Sequence, residues 1–311
     1  MTTIIYIPER GGLGDSTIGC MNAFILSKVL NATFKIVNGP INFYNYFDIP
    51  DKYKLNNISK YDNFINYDPF TKYNDYFLYD NLNALKNKIT IIKAGSNFSQ
   101  FLYKNKNFKN KLDIDEVDVI QYLFKNILIP KKKILEKLEK YNKMYDIENK
   151  TVVHIRCINN WNDCNTNDKC FDTLKTIGKF INSIKQIVNN NEKIVLLSDN
   201  MDMVVPEILK NDIDIIKIDG DVGHSSKSRN LNYEKTLLDL LIIGTGKNNI
   251  ISYWSNFSRI GILRTKKPFI LVSPYFNELH STKKFNFNIK APELYRKGEF
   301  YEILAKEGYS K

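Results

Sequence analysis

Histidine and cysteine are scarce: the 311-residue chain has 3 of the first and 4 of the second. Cys157, Cys164 and Cys170 lie close together, yet no C-x-x-C pair exists. Neither a zinc site nor a disulfide framework is therefore expected, and the thiols read as free. Long apolar runs are also missing, and none approaches the roughly 20 residues that a membrane helix needs. The opening residues, "MTTIIYIPERG", have no basic n-region and no small-residue cleavage site; they read as a strand entering a loop. The expectation is a cytoplasmic protein without a transmembrane segment. No glycine/arginine tract or RNP-like aromatic pattern accompanies the lysines.

What is present fits a globular protein, with 43% hydrophobic and 25% charged residues. The net charge of +11 would suit a nucleic acid, a membrane surface or a polyanionic small ligand. Its lysines, however, are interleaved with asparagines and acids, as in "YKNKNFKNKLDIDE", which describes solvated faces. No nucleic-acid partner is expected, and a basic nucleic-acid-binding α/β protein is kept as the alternative from another class.

Strands and helices alternate along the chain. The first half opens with a strand at 2–7, a helix from Asp15 or Ser16 to Leu30 and a strand at 32–37. Residues 40–80 show no clear periodicity; a buried strand at 88–95 and helices at 115–127 and 131–145 follow. The second half is more regular, with strands at 151–156, 193–199 and 214–219, then "NIISYW" and "PFILVS", separated by helices. This alternation implies doubly wound parallel sheets. The fold class expected is α/β, two Rossmann-like domains, residues 1–148 and 149–311, facing a central cleft. A helix over "APELYRKGEFYEILAKEG" is expected to pack back on the first domain. In open α/β sheets ligands lie beyond the carboxyl ends of the strands, so residues just after each strand are the informative ones.

The first such stretch is "GGLGD", Gly11 to Asp15. The dinucleotide fingerprint G-x-G-x-x-G fails because Thr17 stands at the third glycine, and the next strand ends Val37-Asn38-Gly39 without the ribose-binding acid. The triphosphate loop fails because Cys20 follows Gly19 where lysine is required. What remains is a glycine loop that permits close backbone approach, set before a helix N-terminus with free N–H groups. Asp15 is either a helix cap or a carboxylate facing the cleft.

The second half has more such residues. His154 and Arg156 close the mid-chain strand; Arg156 is suited to a diphosphate, or to a surface acid. Ser198 and Asp199 close the next strand. Asp239 interrupts an apolar run and needs a partner, either a ligand N–H or O–H group or a protein group. Ser255, Asn256, Phe257 and Ser258 open a helix that forms a second anion site.

The ordered set "GGLGD", "HIR", "LLSDN" and "LLDLLIIGTGKNNIISYWSNFSRIGIL" resembles the fucosyltransferase-like GT-B superfamily: the α1,2- and α1,6-fucosyltransferases, the nodulation fucosyltransferases and the protein O-fucosyltransferases. The motifs span most of the chain in order, with the middle of the first half unmatched. The resemblance implies a GDP-fucose donor, direct inversion and no metal or other cofactor, with a glycan or protein hydroxyl as acceptor. It implies that Arg156 clamps the diphosphate and aids departure of the leaving group, and that Asp239 binds guanine. Ser255, Asn256 and Phe257 wrap the phosphates and nucleotide, and backbone groups of Gly12, Leu13 and Gly14 face the donor. Asp15 stands where some members have a catalytic residue and could act as general base. Relatives follow H-x-R closely with Arg or Gly and then Asp; here the sequence continues Cys157-Ile158-Asn159-Asn160-Trp161-Asn162-Asp163, displacing the acid. Trp161 is a candidate acceptor platform and Asp163 the displaced acid. His224 and Arg229 belong to a polar loop expected near the nucleotide. The same scaffold with another nucleotide sugar is the nearest alternative.

Overall fold

The computed structural model describes residues 1–8, 12–67, 82–94, 116–156, 173–189, 192–220, 233–252, 255–272 and 282–285. These divide into two compact units, with the break between Lys132 and Lys133.

The first unit is built on a parallel sheet. Strands β1 (Thr3–Tyr6), β2 (Thr33–Val37), β4 (Lys54–Leu55), β5 (Asn63–Tyr67) and β6 (Ile89–Ala94) lie in the order β4-β2-β1-β6-β5. The run of residues 40–80, expected to be irregular, contributes β4 and β5 as flanking strands. Helix α1 (Leu13–Val29) follows β1 and is buried at every position except Asp15 and Lys28. It is buried on all sides, polar Ser16, Thr17, Asn22 and Ser27 included, because the sheet lies on one side and α3 (Glu116–Asn126) on the other, where Phe24 stacks on Tyr122 with ring centroids 5.4 Å apart. Gly19 makes this packing possible. A Cβ there would stand 1.8 Å from the Ala94 carbonyl oxygen and 2.6 Å from the Tyr6 hydroxyl. Helix α2 (Phe43–Tyr46) leads into β3 (Phe47–Asp48), which pairs antiparallel with β7 (Ile129–Pro130).

The second unit has a larger sheet in the order β10-β9-β8-β11-β12-β13, parallel except for β13 (Thr282–Phe285), which runs antiparallel to β12. Its central strands β8 (Thr151–Ile155), β9 (Ile194–Ser198), β11 (Asn248–Ser252) and β12 (Phe269–Val272) are buried along nearly their whole length, and all but β11 are mostly apolar runs, as in strands covered on both faces. β10 (Ile215–Lys217) lies beside β9. Val153 and Ile155 pack under α5 (Thr173–Ile187) and α6 (Met201–Leu209), against Phe180, Ile184, Val204 and Ile208. His154 points to the other face of the strand, where α8 (Asn256–Leu263) lies.

Helix α4 (Lys132–Tyr145) belongs with this second unit apart from its first residue, so the division falls ahead of the 148/149 boundary expected from sequence. Lys133 (2.8 Å) and Lys137 on this helix both pair with Glu234 on α7 (Tyr233–Ile242). Tyr233 itself sides with the first unit, where its amide donates to the Tyr46 hydroxyl at 3.1 Å. The helix expected over 291–308 lies outside the described residues. Among the described residues no helix is long and apolar enough to cross a membrane.

Candidate active site

The second sheet reverses its winding at β8: β9 and β10 extend it one way, β11 and β12 the other. The carboxyl ends of β8 and β11 therefore flank a topological switch point, where such sheets leave a crevice. Arg156 is the first residue past β8. Its backbone N–H donates to the Ser252 hydroxyl at the end of β11 (2.8 Å), and that hydroxyl donates to the His154 carbonyl (3.2 Å). The regular pairing of β11 with β8 reaches Ile251 opposite His154, so Ser252 extends the ladder by a side chain. On the opposite flank, Asp199, just past β9, holds Arg156 Nη1 at 2.9 Å. Arg156 is thus braced from both neighbouring strand ends. Its side chain keeps 22% exposure, and a guanidinium carries five N–H donors in a planar fork.

His154 is buried. Its Nδ1 lies 2.5 Å from the Ser258 hydroxyl, and its ring meets that of Phe257 at 5.3 Å. Burial, with Arg156 and Lys235 adding positive charge, lowers its pKa to about 3. The imidazole is neutral at physiological pH and serves as a hydrogen-bonding strut between β8 and the first turn of α8. Ser255 caps that helix, its hydroxyl accepting from the Ser258 amide at 3.2 Å. Asn256 and Phe257 begin the helix and are half-buried. Ser198 uses its hydroxyl to accept from the Asn200 amide (3.1 Å), and Asn200 caps α6.

Asp239 sits on α7 with 3% exposure. The partner it needs is supplied by the protein: Lys235, one turn earlier, places Nζ 2.5 Å from both carboxylate oxygens. Burial raises the Asp239 pKa to about 6, against the lowering effect of Lys235.

In the first unit, Gly12 is extended and caps α1 (φ −86°, ψ −177°). The helix starts at Leu13, two or three residues earlier than the sequence suggests, which makes Asp15 the third helical residue and not the cap. Its carboxylate reaches back to accept the Gly12 N–H at 3.2 Å, half of a capping box. Leu13 is 1% exposed, so its side chain is core and only its backbone could meet a ligand. Gly14 is buried beside it. Ser16 is fully buried, and its hydroxyl has no hydrogen-bond partner among the described residues.

Arg156, His154, Ser198, Asp199, Ser255, Asn256, Phe257 and Ser258 are thus brought to one edge of one sheet. Trp161, Asp163, His224 and Arg229 lie outside the described residues, as do Cys157, Cys164 and Cys170. Cys20 is a free, buried thiol whose pKa burial pushes up. Among the described residues no group of three or more His, Cys, Asp or Glu side chains could hold a metal ion. Sequence reasoning missed Ser252 and Lys235. Lys235 stands four residues before Asp239, a spacing that reads as an ion pair; nothing in the sequence marks Ser252 beyond its place at a strand end.

No protein-family model matches the chain, and no curated protein matches it in sequence. Solved structures do. A point variant of Arabidopsis thaliana FUT1 in complex with GDP superposes over 91% of this chain and 73% of its own, with TM-score 0.65 and 12% identity. The fucosyltransferase NodZ from Bradyrhizobium superposes over 92% and 100%, with TM-score 0.58 and 12% identity. NodZ α1,6-fucosyltransferase soaked with GDP-fucose covers 91% and 98%, with TM-score 0.57 and 13% identity. The chain has the α/β, GT-B-type fold of these fucosyltransferases.

Proposed function

We propose that the protein is a fucosyltransferase that moves fucose from GDP-fucose to a glycan or protein hydroxyl, by direct inversion and without a metal. The observation that carries this reading is the convergence of Arg156 and the N-terminus of α8 at the switch point of the second sheet. The shared fold with enzymes solved with GDP or GDP-fucose supports it.

The chemistry follows from the groups available. Transfer breaks the bond between the sugar's anomeric carbon and the diphosphate, and negative charge grows on the departing oxygen. A fixed guanidinium stabilises that charge more in the transition state than in the ground state. Arg156 is fixed by Asp199 and Ser252, so little reorganisation accompanies the step. The first-turn amides of α8 add a positive dipole end for the same diphosphate. The nucleobase is recognised at Asp239, whose carboxylate matches two N–H donors on one edge of guanine.

The acceptor hydroxyl loses its proton as it attacks, and Asp15 is the proposed base. Its bond to Gly12 shows that the carboxylate also serves the capping box of α1 from the third helical position. Asp15→Asn separates the two roles, because an amide oxygen still accepts the Gly12 N–H but takes no proton. Loss of transfer at an unchanged melting temperature identifies a base; full transfer leaves Asp15 a cap. The reading as a whole is tested by incubating the protein with GDP-fucose and measuring release of GDP with and without glycan acceptors. Stabilisation by UDP and not by GDP would move the assignment to another nucleotide sugar.

A further inference from the structure

One feature of the second unit is more than the donor reading requires. Asp239 has no need to be an ion pair in order to meet guanine, yet it is held by Lys235 on both oxygens at 2.5 Å. The lysine is itself enclosed, with its side chain 11% exposed. Its stem lies over Gly220, where a Cβ would meet Lys235 Cγ at 3.4 Å and Cδ at 3.5 Å. Gly220 has φ +109°, a conformation that favours glycine, and it follows β10 through Asp219.

The surroundings of the pair come from every side of the unit. From α4, Tyr141 approaches; burial, then Asp219, its neighbour Tyr145 and Asp239 push its hydroxyl pKa up. His154, on β8, is influenced by both Arg156 and Lys235. Glu234, next to Lys235 on α7, is already engaged by Lys133 and Lys137. The Lys235–Asp239 pair is therefore a buried cation and anion within electrostatic range of the residues that hold the strand end.

We propose that Lys235 is a specificity-determining residue of the nucleotide site, occupying both oxygens of Asp239 until guanine replaces it and keeping that carboxylate ionised meanwhile. This rests on the GDP reading above. The recognition chemistry explains why the charge matters. An ionised carboxylate offers two acceptors and so matches the N1–H and N2–H donors of guanine. A neutral carboxyl offers one acceptor and one donor, which matches the exocyclic amine and N1 of adenine. Burial already raises the Asp239 pKa with Lys235 beside it, so removing the lysine raises it further and favours the protonated acid. Lys235 thereby sets which purine edge the pocket accepts.

The test is titration calorimetry of the full chain at pH 7.5 with GDP and with ADP, for wild type, Lys235→Met and Lys235→Arg, each checked by melting temperature. Wild type prefers GDP. Lys235→Met weakens GDP by about tenfold or more and narrows the preference for GDP over ADP. Lys235→Arg retains the preference. A folded Lys235→Met that binds GDP as wild type does, or more tightly, with its preference intact overturns the proposal. Absence of any GDP binding by wild type defeats the GDP reading instead. A crystal structure of the wild-type GDP complex decides the matter independently of the variants. Guanine N–H groups on Asp239 with Lys235 moved aside support the exchange; Lys235 still on both oxygens, with the base elsewhere, overturns it.

Discussion

Arg156 is held at two points at once: its amide by Ser252 on one neighbouring strand, its guanidinium by Asp199 on the other. An arginine so restrained holds its guanidinium in one orientation. Arg156→Ala should lower transfer by about a hundredfold or more, with the fold intact by circular dichroism. Arg156→Lys should restore little, because an ammonium lacks the planar fork. Near-wild-type turnover in either variant would remove Arg156 from the chemistry. His154 permits a test by pH. With a pKa of about 3, its imidazole resonances should stay at neutral positions from pH 8 to pH 5; a midpoint near 6.5 would contradict the buried, serine-bonded strut. The sign for stability follows. The unfolded chain takes up this proton near 6.5 and the folded protein does not until about 3, so the contribution of His154 is lost as pH falls through that window. Asp239 acts oppositely: its folded carboxyl titrates near 6 against 3.8 when free, so its contribution is lost as pH rises between those values.

At the level of elements, helix α1 and strand β8 show what could be read in advance and what could not. The alternation of apolar strands with helices, and the strand ends at Arg156 and Asp199, were legible because parallel strands announce themselves as short apolar runs. The start of α1 was not. Gly12 caps through its backbone, and Asp15 bonds backwards to it, so the side-chain signal for the helix start lies three residues inside the helix. β4 and β5 escaped detection because flanking strands among aromatics and asparagines show no clear alternation. Gly19 has the spacing of a phosphate-loop glycine, whereas its role is packing: no side chain fits between α1 and the end of β6. Gly19→Ala should therefore destabilise the protein by about 1–3 kcal/mol in denaturant unfolding, and a neutral result would show that helix and sheet are not in close contact there. Ser252→Ala should leave the Arg156 amide without its acceptor. We expect a loss of about 1 kcal/mol in stability together with a fall in turnover.

For the whole molecule, the fold is shared with the solved fucosyltransferases while sequence identity to them stays at 11–13%. Core strands accept many apolar sequences when volume and patterning are kept, so one topology is compatible with very different residues. The division into units was only partly legible. Helix α4 reads as the end of the first half, but its side chains reach Glu234, a hundred residues later, and such pairing leaves no local trace. The net charge of +11 likewise has a place in this account. A chain of this charge attracts a polyanionic donor at long range, and GDP affinity should fall with added salt.

The most direct measurement is calorimetric titration of GDP into wild type and Arg156→Ala at matched pH and salt. The account predicts one GDP site on the wild-type chain and a loss of at least about tenfold in affinity for the variant, with its melting temperature unchanged. A wild-type chain that does not bind GDP, or a folded Arg156→Ala variant that binds it equally well, would contradict the assignment of the donor site to this sheet edge.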